Sequence, residues 1–337
     1  TIRGGYTGEG ETREGRSNFL RDAASTTYFR LFDVTGSTVA FDGIGFLNGK
    51  FSGAVKGVFG LAVCLQTSCN ATFTNCLFKN NGLVKLVNNS NSVYGGALYT
   101  DGGTLAIADC EFDSNYITYP SSNNHSGLGG ALYAKSAALS VVRTRFVKNY
   151  NNTAHNRATG GGAIAINACN NALIDSCRFE TNTVYRGNYN SSLTDLSSGG
   201  TIHVASSSGV TIRDCEIIGP IRGSGSYYNC LVRGSYAKTA ATVCCDETNA
   251  SGPNKDDPLN LYNCTVIGNT SAQSAGGALG QYVNAYNSIV RGNFSLMGVA
   301  DSFATAVSCC LEDAAAVTDD TGSIRVEPAL MTGDYGY

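Results

Sequence analysis

The chain has 337 residues, a formal net charge of −3 and only 15% charged residues. This balance offers no concentrated basic face, so nucleic acid is not predicted as a partner. The longest apolar runs are shorter than the roughly 18 residues that a membrane-spanning helix needs, and no membrane span is predicted in this chain. The 41 glycines and the lack of a sustained 3.6-residue period exclude a mainly helical protein.

The two ends of the chain differ from its middle. In residues 1–40, Thr1 to Tyr6 have the pattern of a strand and a corner already under way. In residues 311–337, the stretch from Glu327 to Tyr337 has the pattern of an exit from a repeat. We expect residues 1–337 to form one elongated domain that is part of a longer precursor.

Between residues 41 and 310 one short phrase recurs. Its clearest copy is Leu105-x-Ile107-x-x-Cys110-x-Phe112-x-x-Asn115. Other clear copies begin at Leu139, Ala172 and Leu259, and weaker copies place the small residue at Ile44, Cys76, Cys215, Cys230, Ser288 and Cys310. Alternation with a period of two predicts strands, and a repeated unit of this size predicts a solenoid.

A second phrase, a Gly-Gly pair followed by a small and an apolar residue, comes 10 to 14 residues before the first. Its copies start at Gly95, Gly129, Gly161, Gly199 and Gly276. Glycine allows a tight corner and a close approach of the next coil. Together the phrases predict an all-β, single-stranded right-handed parallel β-helix of about ten coils, with stacked loop insertions on one edge. The Asn that follows each Phe is expected to bond its copies above and below.

These two phrases resemble the GGA[ILV] and FxxN repeats of the chlamydial-type polymorphic outer-membrane proteins, and those of the wider class of secreted right-handed β-helix repeat proteins. The resemblance covers about residues 40 to 310, although the Phe becomes Ile217, Val232, Val266 and Val290 in the later units. It implies an extracellular or cell-surface location. It leaves the function open, because the fold hosts adhesins, structural shafts and polysaccharide-degrading enzymes.

Four insertions, at residues 82–94, 116–128, 150–160 and 183–198, leave the same edge of the predicted helix. Each contains one N-glycosylation sequon, at Asn88, Asn124, Asn151 and Asn190, and further sequons stand at Asn70, Asn249, Asn263, Asn269 and Asn293. We predict covalent N-linked glycans on the face that carries the insertions. The alternative is that polar loops simply use Asn and Ser for turns. Asn269 and Asn293 fall on the stacked corner, where burial would keep them bare.

The same insertions carry the tyrosines Tyr94, Tyr116, Tyr119, Tyr150, Tyr185 and Tyr189. An exposed Tyr can bind a sugar or anchor a protein contact. Each can equally well cover apolar surface at the base of its own loop. A carbohydrate or cell-surface ligand is therefore one partner that the sequence leaves open.

The thirteen cysteines have no zinc-like spacing with the three histidines, so no metal site is predicted. An oxidising compartment is favoured instead. Most cysteines occupy the small inward position of the repeat, where a buried thiol is the expected state. Disulfides are expected among the others, with Cys64 bonded to Cys69 and with partners for the vicinal pairs Cys244-Cys245 and Cys309-Cys310.

Catalysis is not predicted, because hydrolysis needs carboxylates that converge on one face. The pairs Asp256-Asp257 and Asp319-Asp320 lie in predicted loops, and Asp109 and Asp214 are separated by coils with Arg143 and Ser176 at the same position. No cofactor is predicted apart from the glycans. The expected function is an extracellular structural glycoprotein, a subunit of a surface appendage or glycan-coated filament that assembles end to end. The alternatives are a cell-surface adhesin passenger domain and a polysaccharide lyase or glycoside hydrolase of the pectin-lyase-like fold.

Overall fold

The computed structural model describes residues 1–6, 12–27, 29–53, 58–86, 92–118, 127–153, 159–186, 200–237, 242–244, 258–271, 279–280, 282–295, 302–311 and 316–325. Every regular element in these ranges is a β-strand. None of the described residues forms a helix long and apolar enough to cross a membrane.

Three long parallel sheets form the body of the molecule. Sheet 1 contains Ile2–Arg3, Thr38–Asp42, Asn70–Thr74, Thr104–Ala108, Ala138–Val142, Leu173–Asp175, Thr211–Arg213, Gly225–Tyr228, Leu259–Tyr262, Val283–Tyr286, Ser302–Val307 and Ala316–Thr321. Sheet 2 contains Ser17–Leu20, Ile44–Leu47, Leu77–Lys79, Glu111–Asp113, Arg145–Val147, Arg178–Glu180, Glu216–Ile217, Leu231–Arg233, Thr265–Ile267, Ile289–Arg291 and Cys310–Leu311. Sheet 3 contains Phe32–Thr35, Val63–Gln66, Leu98–Asp101, Leu132–Lys135, Ile164–Asn167, Ile202–Ala205, Ile221–Gly223 and Val243–Cys244.

Where all three strands are described, a coil visits sheet 3, sheet 1 and sheet 2 in turn, and equivalent residues of successive coils lie in register. Leu105 pairs with Leu139 in sheet 1, and Phe112 pairs with Phe146 in sheet 2. This arrangement confirms the predicted parallel β-helix. Sheet 1 has twelve described strands, so the helix is slightly longer than the repeat alone indicated.

The core is a set of apolar columns along the axis. Phe112, Phe146 and Phe179 are fully buried, with neighbouring ring centroids 4.8 and 5.0 Å apart and nearly parallel planes. The column continues as Ile217 and Val232 in later coils. A smaller side chain thus replaces Phe without interrupting the stack, which explains why the phrase tolerates the change.

The Gly-Gly corners are required by close approach of the backbone. Gly95 has a φ of +69°, and a Cβ atom on Gly96 would lie 2.0 Å from the carbonyl oxygen of Gly130 on the next coil. No side chain fits there, so the glycines set the spacing of the corner.

Thiols and hydroxyls line the corner between sheets 1 and 2, and both accept a hydrogen bond from a backbone N–H of the neighbouring coil. The Cys264 backbone N–H donates to Ser288 Oγ at 3.0 Å, and the Cys76 backbone N–H contacts Cys110 Sγ at 3.3 Å. Cysteine therefore serves here as a buried corner residue, interchangeable with Ser and Thr. The last copy is shifted from the prediction, because Cys310 pairs with Ile289 and Cys309 occupies the position of Ser288.

The insertions build a second parallel stack, which we call the ridge. Sheet 4 contains Lys50–Gly53, Gly82–Leu86, Tyr116–Thr118, Tyr150–Thr153 and Thr183–Arg186, and sheet 5 contains Val58–Phe59, Val93–Tyr94, Gly127–Leu128 and Thr159–Gly160. A small apolar cluster that includes Leu83, Val93 and Ile117 fills its interior. The bases of the insertions stack along one edge as predicted. The excursion from Lys50 to Phe59 adds an insertion that the sequence analysis missed.

A short sheet 6, made of Tyr236–Ala237, Thr270–Ser271 and Phe294–Ser295, stacks in three later coils. It follows the strands of sheet 2, as the strands of sheet 4 do in the earlier coils.

Candidate functional surfaces

Of the predicted glycosylation sites that the structure describes, two are exposed. Asn70 opens a strand of sheet 1, and Asn263 occupies an exposed corner with a φ of +52°. The side-chain oxygens of both residues accept hydrogen bonds, from Thr104 at 2.9 Å and from Asn287 at 2.7 Å. Both residues are exposed, so their side chains can be reached from solvent.

Three other sequons are buried. The Asn151 amide nitrogen, the atom to which a glycan would be attached, donates to the Gly127 carbonyl at 2.5 Å. This packing inside the ridge leaves no room for a glycan at Asn151, contrary to the sequence prediction. Asn269 and Asn293 lie in the buried corner column, and the Asn269 amide donates to Asn293 at 3.0 Å. Their burial agrees with the alternative that corner packing keeps them bare.

Several predicted positions lie outside the described residues. They are Asn88, Asn124, Asn190, Asn249, Cys245, Tyr119, Tyr189, Asp256 and Asp257. The glycan-coated face thus remains a prediction at three of its four stacked insertions.

Twelve cysteines are described; all are buried and none is in a disulfide. The expected Cys64–Cys69 bridge is not formed, because the two side chains lie on opposite faces of the chain. Cys64 packs with Tyr99 and Tyr133 under the ridge, whereas Cys69 lies in the main core. Cys244, Cys309 and Cys310 likewise form no disulfide. The described cysteines therefore provide no disulfide that would support the predicted oxidising compartment.

A polar column runs along the outer side of sheet 3 in register. His203 pairs with Arg222, and Arg222 pairs with Cys244. All three side chains are buried, and the Arg222 guanidinium contacts Cys244 Sγ at 2.7 Å. This column was not predicted from the sequence, because only the register of sheet 3 in the later coils brings the three residues together.

The charged residues of the outer faces pair from one coil to the next. Arg143 contacts both carboxylate oxygens of Asp109 at 2.8 Å, and Arg213 reaches Asp175 at 2.5 Å. The arginine hydrogen bonds hold the pKa values of both carboxyl groups below their usual range. Arg145 bridges Glu111 at 3.2 Å and Glu180 at 3.0 Å on either side. These charges therefore join neighbouring coils.

The described chain contains no group of three or more His, Cys, Asp and Glu side chains placed to hold a metal ion. Asp109 and Asp214, two of the carboxylates considered for catalysis, have separate partners in the described structure. Asp109 is paired with Arg143, and the Asp214 side chain accepts a hydrogen bond from Asn229 at 3.0 Å.

A row of tyrosines stands on the outer face of sheet 1. Tyr228, Tyr262 and Tyr286 lie in register on successive coils, with ring centroids 4.8 and 4.9 Å apart and planes 11° apart. The rings are partly exposed, and Tyr228 retains 37% of its accessible surface. Burial and the adjacent phenols raise the pKa of Tyr262, so its hydroxyl stays protonated at neutral pH.

Amide side chains flank this row on both sides. On one side the Asn284 amide donates to Asn260 at 2.9 Å, and on the other the Asn287 amide donates to Asn263 at 2.7 Å. We call these seven side chains the Tyr–Asn strip; they are Tyr228, Tyr262, Tyr286, Asn260, Asn284, Asn263 and Asn287. The strip has a signal in the sequence, since a Tyr-Asn dipeptide that starts at Tyr228, Tyr262 and Tyr286 precedes the small corner residue in each of the three coils.

Comparison with known proteins adds no relative. No family model matches the chain, and neither a curated protein nor a solved structure shows significant similarity to it.

Proposed function

We propose that this chain is a non-catalytic extracellular β-helix rod that displays a ligand-binding face, as an adhesin passenger does. The observation that carries the proposal is the pairing of charged side chains between coils. A glycosidase needs one carboxyl group with a raised pKa beside a second carboxylate. Asp109 and Asp175 instead have lowered pKa values and arginine partners, which suits coil cohesion.

The fold supplies what a display rod requires. Its core columns run without interruption through successive coils, and one exposed face, the Tyr–Asn strip, combines aromatic and amide groups. The Gly-Gly and Phe-x-x-Asn phrases favour a surface-displayed repeat protein of the polymorphic outer-membrane type. Within the described residues, Asn70 is the exposed sequon that lies outside the Tyr–Asn strip, and it can accept an N-linked glycan.

A filament subunit is the second candidate, and it rests on the first coil. Among the described strands, Ser17–Leu20 pairs on one side only, and Phe19 and Leu20 are 39% and 59% exposed. A further coil would cover these side chains, whether a preceding segment of the chain or another copy supplies it. In end-to-end assembly, another copy of the chain supplies that coil.

The test combines turnover with imaging. The protein is incubated with pectin, alginate and glycosaminoglycans, and new reducing ends and unsaturated products are measured. We expect no turnover above a heat-denatured control, and single rods in negative-stain electron micrographs. Turnover that disappears in Asp175→Asn or Asp109→Asn would overturn the non-catalytic assignment, and long fibres would favour the filament.

A further inference from the structure

We infer that the Tyr–Asn strip binds a neutral linear polysaccharide that lies along the helix axis. This inference rests on the proposed role of the chain as a display rod, and it names the ligand class of that role. Three properties of the strip support it: its hydrogen-bonding groups, its periodicity and its lack of charge.

The hydrogen-bonding groups of the strip face outward. Among the described residues, no protein group is hydrogen-bonded to the hydroxyls of Tyr228, Tyr262 and Tyr286. Each amide ladder bond uses one N–H of Asn284 or Asn287 and leaves the second N–H of that amide for another acceptor. Phenols and amides, both of which donate and accept, match the hydroxyl groups of sugars.

The ring geometry determines how a ligand is bound. Because the tyrosine rings stack on one another at 4.8 and 4.9 Å, their faces are occupied within the row. A ligand therefore meets hydroxyl groups and ring edges, repeated once per coil. This spacing is comparable to the length of one sugar residue in an extended chain, so consecutive sugars can meet equivalent groups.

Charge distinguishes neutral from anionic polymers. The strip contains no Asp, Glu, Lys, Arg or His side chain, and its fourth row consists of Thr305 and Val307. Beyond the strip, Arg213 is engaged by Asp175 on one side, and Arg325 contacts Asp320 at 2.8 Å on the other. The described strip therefore offers no unpaired cation to bind the charges of an anionic polysaccharide. A neutral polysaccharide has no charges that need such a partner.

Affinity electrophoresis tests the inference on the whole chain. Native gels contain hydroxyethyl cellulose, xylan, glucomannan or galactan, with pectin and alginate as anionic probes. We expect at least one neutral polymer to retard the protein more strongly than either anionic polymer. Tyr262→Phe, which keeps the stacked ring and removes one hydroxyl, should weaken that binding about threefold. The combined Tyr228→Phe, Tyr262→Phe and Tyr286→Phe variant should weaken it about tenfold or more.

The matched control is Tyr150→Phe, because Tyr150 stacks on Tyr116 at 5.2 Å in the ridge. It should bind like the wild type, and thermal melts of all variants report the fold. The inference is overturned if no neutral polymer retards the protein, if the anionic polymers bind more strongly, or if the triple variant binds like the wild type. Cleavage of a bound polymer, detected as new reducing ends, would instead overturn the non-catalytic role and leave the binding site in place.

Discussion

The amide nitrogen of Asn115 donates to the amide oxygen of Asn149, one coil away, at 2.9 Å. The same nitrogen donates to the carbonyl of Phe78 at 2.9 Å, and the Asn115 oxygen accepts from the Asn81 amide at 2.9 Å. One buried side chain thus connects three coils at their corner. Because every partner is also buried, the ladder leaves no water to replace a lost bond.

Asn115→Ala should therefore lower the free energy of unfolding by about 3 kcal/mol, since it leaves the amide nitrogen of Asn81 and the carbonyl of Phe78 without that partner. Urea denaturation followed by circular dichroism measures this change. The exposed Asn70 is the matched control, and Asn70→Ala should change stability by less than about 0.5 kcal/mol. Equal effects of the two substitutions would show that the corner ladder is not buried.

The phenylalanine column gives a second stability prediction. Phe112 is fully buried, with its ring centroid 4.4 Å from Phe78 and 4.8 Å from Phe146. Phe112→Ala should cost about 3 to 5 kcal/mol, because it opens a cavity inside the stack. Phe294 is 62% exposed, so Phe294→Ala should cost less than about 0.5 kcal/mol in the same denaturation experiment. A small effect of Phe112→Ala would contradict the inward register of sheet 2.

Thiol titration tests the state of the cysteines. The sequence has 13 cysteines, and burial makes the thiols unreactive; it raises the pKa of Cys64 to about 11. The twelve described thiols should be silent towards a disulfide reagent in the native protein and should all react in denaturant without reductant. Fewer than twelve reactive thiols in denaturant would show that bridges form.

The pairs between coils predict a loss of stability in acid. Asp109 and Asp175 have folded pKa values below the usual value of 3.8. A lowered folded pKa contributes stability that is fully present above the unfolded pKa and is lost as the pH falls through the folded pKa. The Tm should therefore fall between pH 5 and pH 2, and the decline should be smaller in the double variant Asp109→Asn, Asp175→Asn. An equal decline in both proteins would assign the acid sensitivity to other groups.

Glycopeptide mass spectrometry on protein from its native source tests the modification sites. We expect any glycan within the described chain at Asn70, and bare amides at Asn263 in the Tyr–Asn strip and at the buried Asn151, Asn269 and Asn293. A glycan at Asn151 would show that the ridge does not pack as described, because that amide is bonded to the Gly127 carbonyl.

Local pattern was sufficient to predict the coils. The alternation at Leu105, Ile107 and Phe112 determines which side chains face inward, and the period determines what they stack upon. The ridge required more than a pattern, because the insertions were interpreted from their polar composition. Val93 and Ile117 nevertheless fill a small core there, and that packing also buries Asn151.

The cysteines were predicted less well, for a physical reason. The Cys64–Cys69 disulfide was predicted from the short spacing of the two residues in the sequence. The Cys64 side chain instead points to the side of its strand that the ridge covers, and the sequence did not predict that the ridge covers it. The small corner position of the last copy was predicted at Cys310 but lies at Cys309. The sequence could not distinguish the two, because either cysteine is small enough for that position. The tyrosines of the Tyr–Asn strip alternate correctly in sequence, but their alignment into one row becomes visible only when the coils are in register.

A crystal structure of the chain soaked with a neutral hexasaccharide, taken from the polymer that retards it most, tests the central claim most directly. We predict an intact sugar chain along Tyr228, Tyr262 and Tyr286, with hydrogen bonds to their hydroxyls and to the flanking asparagines. Sugar bound on another face, a cleaved sugar on any face, or a strip that remains empty at saturating ligand would contradict the account.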